Sequence, residues 1–123
     1  RKIMEDIKII DVVIELLDAR IPMSSRNPDI KEITKNKKKI IILNKIDLAD
    51  ENLTNKWKEF FSKEAECLLT DANSGKGIDK VSRKIEEMME EEKQRQLSRG
   101  RINKTIRVMI LGIPNVRKVF IYK

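Results

Sequence analysis

Apolar residues along this chain recur with two different spacings. Four short runs are mostly apolar: Val12–Leu17, Ile40–Leu43, Glu66–Leu69 and Thr105–Leu111. Runs of this length bounded by polar residues predict strands covered on both faces, as in a parallel sheet. Between the runs the spacing becomes helical. Leu53, Trp57, Phe60 and Phe61 form one helical face, and Ile78, Val81, Ile85 and Met88 mark a long helix that frays near Gly100. Asn27 can cap a short helix with Pro28 in its first position and Ile30 and Ile33 inward. Ile3, Ile7 and Ile10 follow helical spacing at the start. There is no internal repeat. This β-α alternation predicts an α/β fold whose first three strands are parallel and adjacent through right-handed crossovers.

A chain of 123 residues suffices for one domain with a sheet-based core. Charged residues make up 38% and aromatics 4%, so that core must be built from Ile, Leu, Val and Met. No apolar run approaches the ~18 residues of a membrane span and no signal peptide is evident, so a soluble, cytoplasmic protein is expected. The sequence has no His, which argues against zinc or Ser-His-Asp chemistry. Its single cysteine, Cys67, falls on a predicted strand and reads as a small core residue rather than a nucleophile. The net charge of +7 is concentrated in two places. Lys35-Asn36-Lys37-Lys38-Lys39 reads as a solvated face. The other run extends from Lys93 through Arg95, Arg99, Arg101 and Lys104 to Arg107, contains no acid, and follows the acidic stretch Glu86–Glu92. That segregation suggests an RNA-facing patch, without the aromatic residues of a base-stacking platform.

The most specific chemistry follows the second run, where Ile40-Ile41-Ile42-Leu43 leads into Asn44-Lys45-Ile46-Asp47. A buried parallel strand would deliver these groups to its carboxyl-end rim, where open α/β sheets bind ligands. There the Asp47 carboxylate can accept two hydrogen bonds, from the ring N1–H and the exocyclic amino group of guanine. Adenine lacks that pair of donors and would leave a desolvated carboxylate unpaired. Asn44 can meet N7 with its amide, and the Lys45 stem can lie flat over the base. The competing reading is an ordinary polar turn, which Asn and Asp also favour.

Two further segments bear on that choice. In Leu68–Ile78 a strand leads through a small-residue loop into a helix. Ala72, reached through Thr70 and Asp71, is small enough to let a backbone N–H approach guanine O6. A plain strand-to-helix connection capped by Ser74 or Asp79 would look the same. Val108–Val119 nearly matches the phosphate-cradling pattern GxxxxGK[ST], with Gly112 and Lys118 in the expected positions. Arg117 stands where a glycine lets backbone approach phosphate, and Val119 where a hydroxyl would bind Mg²⁺. A positive φ at Arg117 would add strain of about 1–2 kcal/mol. The alternative is a strand ending in a Gly-Pro-containing turn.

The guanine motif precedes the phosphate loop, whereas a Ras-like GTPase has the loop first. Leu17-Asp18-Ala19-Arg20-Ile21-Pro22 and Arg26-Asn27-Pro28 lie upstream, and Gly112-Ile113-Pro114-Asn115-Val116 reads as the loop opening. With these segments, the chain from about Ile7 to Val116 resembles the circularly permuted GTPases of the YlqF/RbgA ribosome-biogenesis family. The resemblance implies a P-loop GTPase-like three-layer α/β sandwich, circularly permuted and incomplete. Its sheet would be mainly parallel, of about four strands in the order fourth, first, second, third. The resemblance assigns Asn44, Lys45, Asp47, Thr70, Asp71 and Ala72 to the guanine base, and Gly112, Pro114, Asn115, Val116 and Lys118 to the phosphates. It implies GTP or GDP as ligand, Mg²⁺ in the intact family, a potassium ion associated with Asn115, and the large ribosomal subunit with its rRNA as partner. For the Asp18–Pro22 segment, pairing of Arg20 with Asp18 is expected rather than a catalytic role.

Members of that family continue into switch elements, a DxxG Mg²⁺ motif and a C-terminal RNA-binding domain. The chain is therefore expected to be the N-terminal part of such a protein. Guanine-recognition βα units would occupy 1–92, a basic linker 93–104, and a strand with a degenerate phosphate loop 105–123. The fourth strand would be left as an exposed edge. Without a Mg²⁺ hydroxyl or switch elements, little or no GTP hydrolysis is expected. Two other classes stay open: a nucleotide-independent RNA- or ribosome-binding module, and a different phosphate-binding α/β enzyme in which Asn44–Asp47 is accidental.

Overall fold

A computed structural model describes residues 8–22, 29–71, 74–100, 105–112 and 116–122. Its sheet has the strand order β3-β2-β1-β4-β5, where β1 is Val12–Asp18, β2 Lys38–Asn44, β3 Glu66–Leu69, β4 Ile106–Gly112 and β5 Val116–Tyr122. The first four strands are parallel, with Ile14 beside Ile40 and Ile110, and Ile42 beside Leu68. Their carboxyl ends therefore share one edge. The helices are α1 (Ile30–Ile33), α2 (Glu51–Ser62) and α3 (Ile78–Ser98).

Both faces of the sheet are covered, which is why its strands read as continuous apolar runs. Val12, Ile14, Ile40, Ile42, Leu68 and Val108 pack on one face against Val81, Ile85, Met88 and Met89 of α3. Alternate residues point the other way. Leu17, Ile41, Leu43 and Cys67 pack there against Phe61 and Trp57 of α2, and Val13, Met109 and Leu111 against Ile10 and Ile33. The result is the expected three-layer α/β sandwich, with the expected neighbours for the first four strands. Among the described residues no helix is long and apolar enough to cross a membrane.

Several boundaries differ from expectation. Leu53 and Phe60 are half exposed, because α2 turns Phe61 and Thr54 fully inward instead; Phe60 contributes edge contacts to Trp57 and Phe61. Residues 93–98, assigned to a linker by sequence, are helical. Gln96 holds them there, donating to Asp11 Oδ1 at 2.9 Å and to the buried Glu92 Oε2 at 2.8 Å. Asp11 Oδ2 in turn accepts the Arg107 N–H at the start of β4. The N-terminal helix predicted over Ile3 and Ile7 and the Asn27–Pro28 cap lie outside the described residues; Ile10 is buried in non-helical chain.

The largest difference is β5. Residues 116–122, assigned by sequence to a degenerate phosphate loop, pair antiparallel with β4 from Gly112↔Val116 to Ile106↔Tyr122. Their β-branched and aromatic content suits a strand, and the pairing covers the edge that β4 would otherwise expose. Arg117 lies in that ladder opposite Leu111. Lys45 is the non-glycine residue with positive φ among those described, so the strain anticipated at Arg117 does not arise.

Candidate functional site

The shared carboxyl edge collects Asp18 from β1, Asn44 from β2, the Thr70–Asp71 segment after β3, and Gly112 from β4. The ends of β2 and β3 are zipped together beyond the strands themselves. Thr70 N–H donates to the Leu43 carbonyl at 2.9 Å, and Ile46 N–H donates to the Thr70 carbonyl at 3.3 Å. Between these bonds the chain turns sharply at Lys45, whose φ of 65° and ψ of 36° are left-handed. Such a conformation costs a non-glycine residue roughly 1–2 kcal/mol and persists only where the surroundings fix it. Here Thr70 and the 3₁₀ turn Ile46–Leu48 fix it, with Leu48 N–H returning to the Lys45 carbonyl at 3.0 Å. Asp47 falls inside that turn; its side chain lies outside the described residues.

Side chains reinforce the zipper. The buried Thr70 hydroxyl donates to Asn44 Oδ1 at 3.0 Å. That bond fixes which end of the Asn44 amide carries the oxygen and which the donor. Asn44's own backbone carbonyl accepts the Ala19 N–H at 2.8 Å, tying the β1 turn to the same corner.

At that turn Asp18 accepts a fork from Arg20, Nε to Oδ1 at 3.0 Å and Nη2 to Oδ2 at 2.7 Å, together with the Arg20 backbone N–H at 2.9 Å. This is the expected pairing. The guanidinium, helped by that N–H and by Lys45, outweighs desolvation and lowers the Asp18 carboxyl from its ordinary 3.8 to about 2. Lys45 Nζ lies 3.6 Å from Asp18 Oδ2, so the end of β1 holds the lysine of the β2 tail.

The loop after β3 is equally constrained. The buried Asp71 bridges to Lys76, its N–H donating to the Lys76 carbonyl at 2.9 Å, while Gly75 N–H donates to the Asp71 carbonyl at 2.8 Å. Gly77 then enters α3 at φ +81°, and a Cβ there would sit 2.3 Å from the Leu69 carbonyl oxygen. Only glycine allows the helix to start this close to the end of β3. Ala72 lies outside the described residues.

The edge therefore brings Asn44, Lys45, Asp47, Thr70 and Asp71 into one corner. Gly112 is two strands from β2, roughly 10 Å at ordinary strand spacing. Pro114 and Asn115 lie outside the described residues. Gly112, Val116 and Lys118 belong to the β4–β5 hairpin, with Lys118 opposite Ile110. A phosphate cradle needs a loop opening onto a helix N-terminus, and the chain that follows Val116 is a strand. The sequence did not reveal the Asn44–Thr70 bond or the Asp18–Lys45 contact. Polar residues at or just after the ends of β1, β2 and β3 were the available signal for both.

No family model matches the chain. It is 43% identical over 119 residues to the ribosome biogenesis GTPase A of Bacillus licheniformis, covering 96% of this chain and 42% of that protein. It is 31% identical over 118 residues to the Thermotoga maritima protein of the same name, covering 38% of it. With the mouse mitochondrial ribosome-associated GTPase 1 it shares 32% identity over 122 residues, 36% of that protein. Among solved structures it superimposes on a GNP-bound YlqF from T. maritima with a TM-score of 0.65 at 29% identity, covering 93% of this chain and 41% of that one. A GDP-bound YlqF gives the same TM-score, with 94% and 43% covered. The chain is thus similar to the ribosome biogenesis GTPase A proteins and to the solved YlqF structures, and it spans about two fifths of their length.

Proposed function

We propose that this chain carries the guanine-recognition half of a GTP-binding unit that acts in the cytoplasm on the large ribosomal subunit. The observation that carries the reading is the corner where β2 and β3 are zipped, with Asn44 oriented by Thr70 and Lys45 held by Asp18. These contacts fix in advance the groups that would meet a purine, with Asp47 two residues further on reading the N1–H and amino group. Similarity to YlqF structures carrying GNP and GDP supports guanine nucleotide as the ligand. The names of the related ribosome biogenesis GTPases support the ribosomal partner.

Val119 offers no oxygen where the phosphate-loop pattern places a Mg²⁺-binding hydroxyl. Hydrolysis by this segment is expected to be negligible, and a phosphate-release assay in Mg²⁺ and K⁺ checks it. The test of the binding reading is titration calorimetry with GDP and ADP. GDP preference abolished by Asp47→Asn supports it; equal affinity for the two nucleotides refutes it.

One observation favours a second reading. The strand following Val116 closes a hairpin where the family would cradle phosphates, which suits a nucleotide-independent RNA- or ribosome-binding module. Absence of any nucleotide binding together with salt-sensitive rRNA binding would select it.

A further inference from the structure

The amino edge of the sheet, opposite the corner described above, carries a second constellation. A cavity of about 340 Å³ opens beside the entry to β2, and its lining includes Lys31, Lys35, Lys37, Lys38 and Lys39, with Glu64 as the one acid. Two of these lysines build the cleft. Lys39 is nearly buried, its ammonium paired with Glu64 and donating to Thr34 Oγ1 at 3.1 Å. Lys37 Nζ donates to the Ile10 carbonyl at 2.8 Å, which ties the segment between α1 and β2 to the chain entering β1. Lys31, Lys35 and Lys38 remain exposed around the opening. Lys35 meets Glu32 at 2.9 Å, both largely exposed, so an anion can displace that pairing. Lys38 lies in the field of Glu92, whose carboxylate is already engaged by Arg95 and Gln96.

We propose that this cleft is a docking site for an RNA phosphodiester backbone. It deepens the ribosomal part of the function proposed above by giving it residues, and rests on that reading only for which RNA is bound. Ammonium groups are compact point charges suited to phosphate oxygens. Protein interfaces, by contrast, are depleted in lysine and built on aromatic, Met and Arg anchors. Among its described lining residues Met88 is one such anchor, but there is no aromatic or arginine beside the lysines, so the opening fits a backbone better than a protein surface or splayed bases. The preformed frame of Lys37 and Lys39 limits the ordering cost of binding.

The test is fluorescence anisotropy of the whole chain with a labelled RNA hairpin across a salt series, without nucleotide. Two triple variants with equal charge change are compared. Lys31→Gln/Lys35→Gln/Lys38→Gln alters the cleft; Lys56→Gln/Lys80→Gln/Arg83→Gln alters exposed positions on α2 and α3. Thermal melts check that both fold. The cleft variant should weaken binding for all RNA sequences alike and flatten the slope of log affinity against log salt by about 3, roughly one per lysine. The other variant should retain most of both. Equal losses in the two variants, no RNA binding, or poly-glutamate competing as well as RNA would overturn the proposal. GDP titration of the cleft variant separates the two readings: lost RNA binding with unchanged GDP binding supports both, whereas cleft-dependent RNA binding without any GDP binding sinks only the nucleotide reading.

Discussion

Replacing Asp18 by Asn tests how the rim holds itself together. The substitution keeps the shape but removes the charge that Arg20 grips at 2.7 and 3.0 Å and that Lys45 approaches at 3.6 Å. The fall of the Asp18 carboxyl from 3.8 to about 2 corresponds to roughly 2 kcal/mol if all of it reached the folding equilibrium. The arginine side of the pair is open to water, 46% exposed, and screening there reduces the effective stabilisation to about 1 kcal/mol. The sign follows from the lowered value. The contribution is complete above the unfolded pKa near 3.8 and disappears as pH falls through about 2. Urea denaturation of the two proteins should therefore separate them by about 1 kcal/mol at pH 7 and bring them together near pH 2. Equal stability at pH 7, or a gap that persists at pH 2, would refute the argument.

Other substitutions probe the same corner. Gly77→Ala should cost about 2–4 kcal/mol in chemical denaturation, since left-handed strain adds to a Cβ only 2.3 Å from a backbone oxygen; Gly75→Ala, with φ +80° but open space, should cost about 1 kcal/mol. Thr70→Val removes the donor to Asn44 Oδ1 and should cost about 1 kcal/mol while weakening GDP binding, measured by denaturation and calorimetry on the same sample. Burial pushes the Cys67 thiol up to about 11, so a thiol reagent at pH 8 should react only as fast as the chain unfolds. Rapid labelling of folded protein would contradict that burial.

Much of this architecture could be read from the chain because both helix faces and strand runs carry their own period. The apolar strand ending in Asn44-Lys45-Ile46-Asp47, the long inward face of α3 and the Arg20–Asp18 pair each depend on residues close in sequence. What escaped depends on distant partners. Lys39 reads as one more surface cation until Glu64 and Thr34 enclose it. Lys45 takes a left-handed turn because Thr70, from the next strand, anchors the chain beyond it. Helix α3 runs on to Ser98 because Gln96 reaches Asp11. At β5 the likeness of Val108–Val119 to a phosphate-loop pattern outweighed local propensity, whereas the β-branched and aromatic content of residues 116–122 suits the strand that forms.

The claim that Asp47 reads guanine is tested most directly with xanthosine diphosphate, which replaces the exocyclic amino group by a carbonyl oxygen. Calorimetry of the unaltered chain should give tighter binding of GDP than of xanthosine diphosphate, and Asp47→Asn, which turns one acceptor into a donor, should reverse that order. The same preference in both proteins, in either direction, would contradict it.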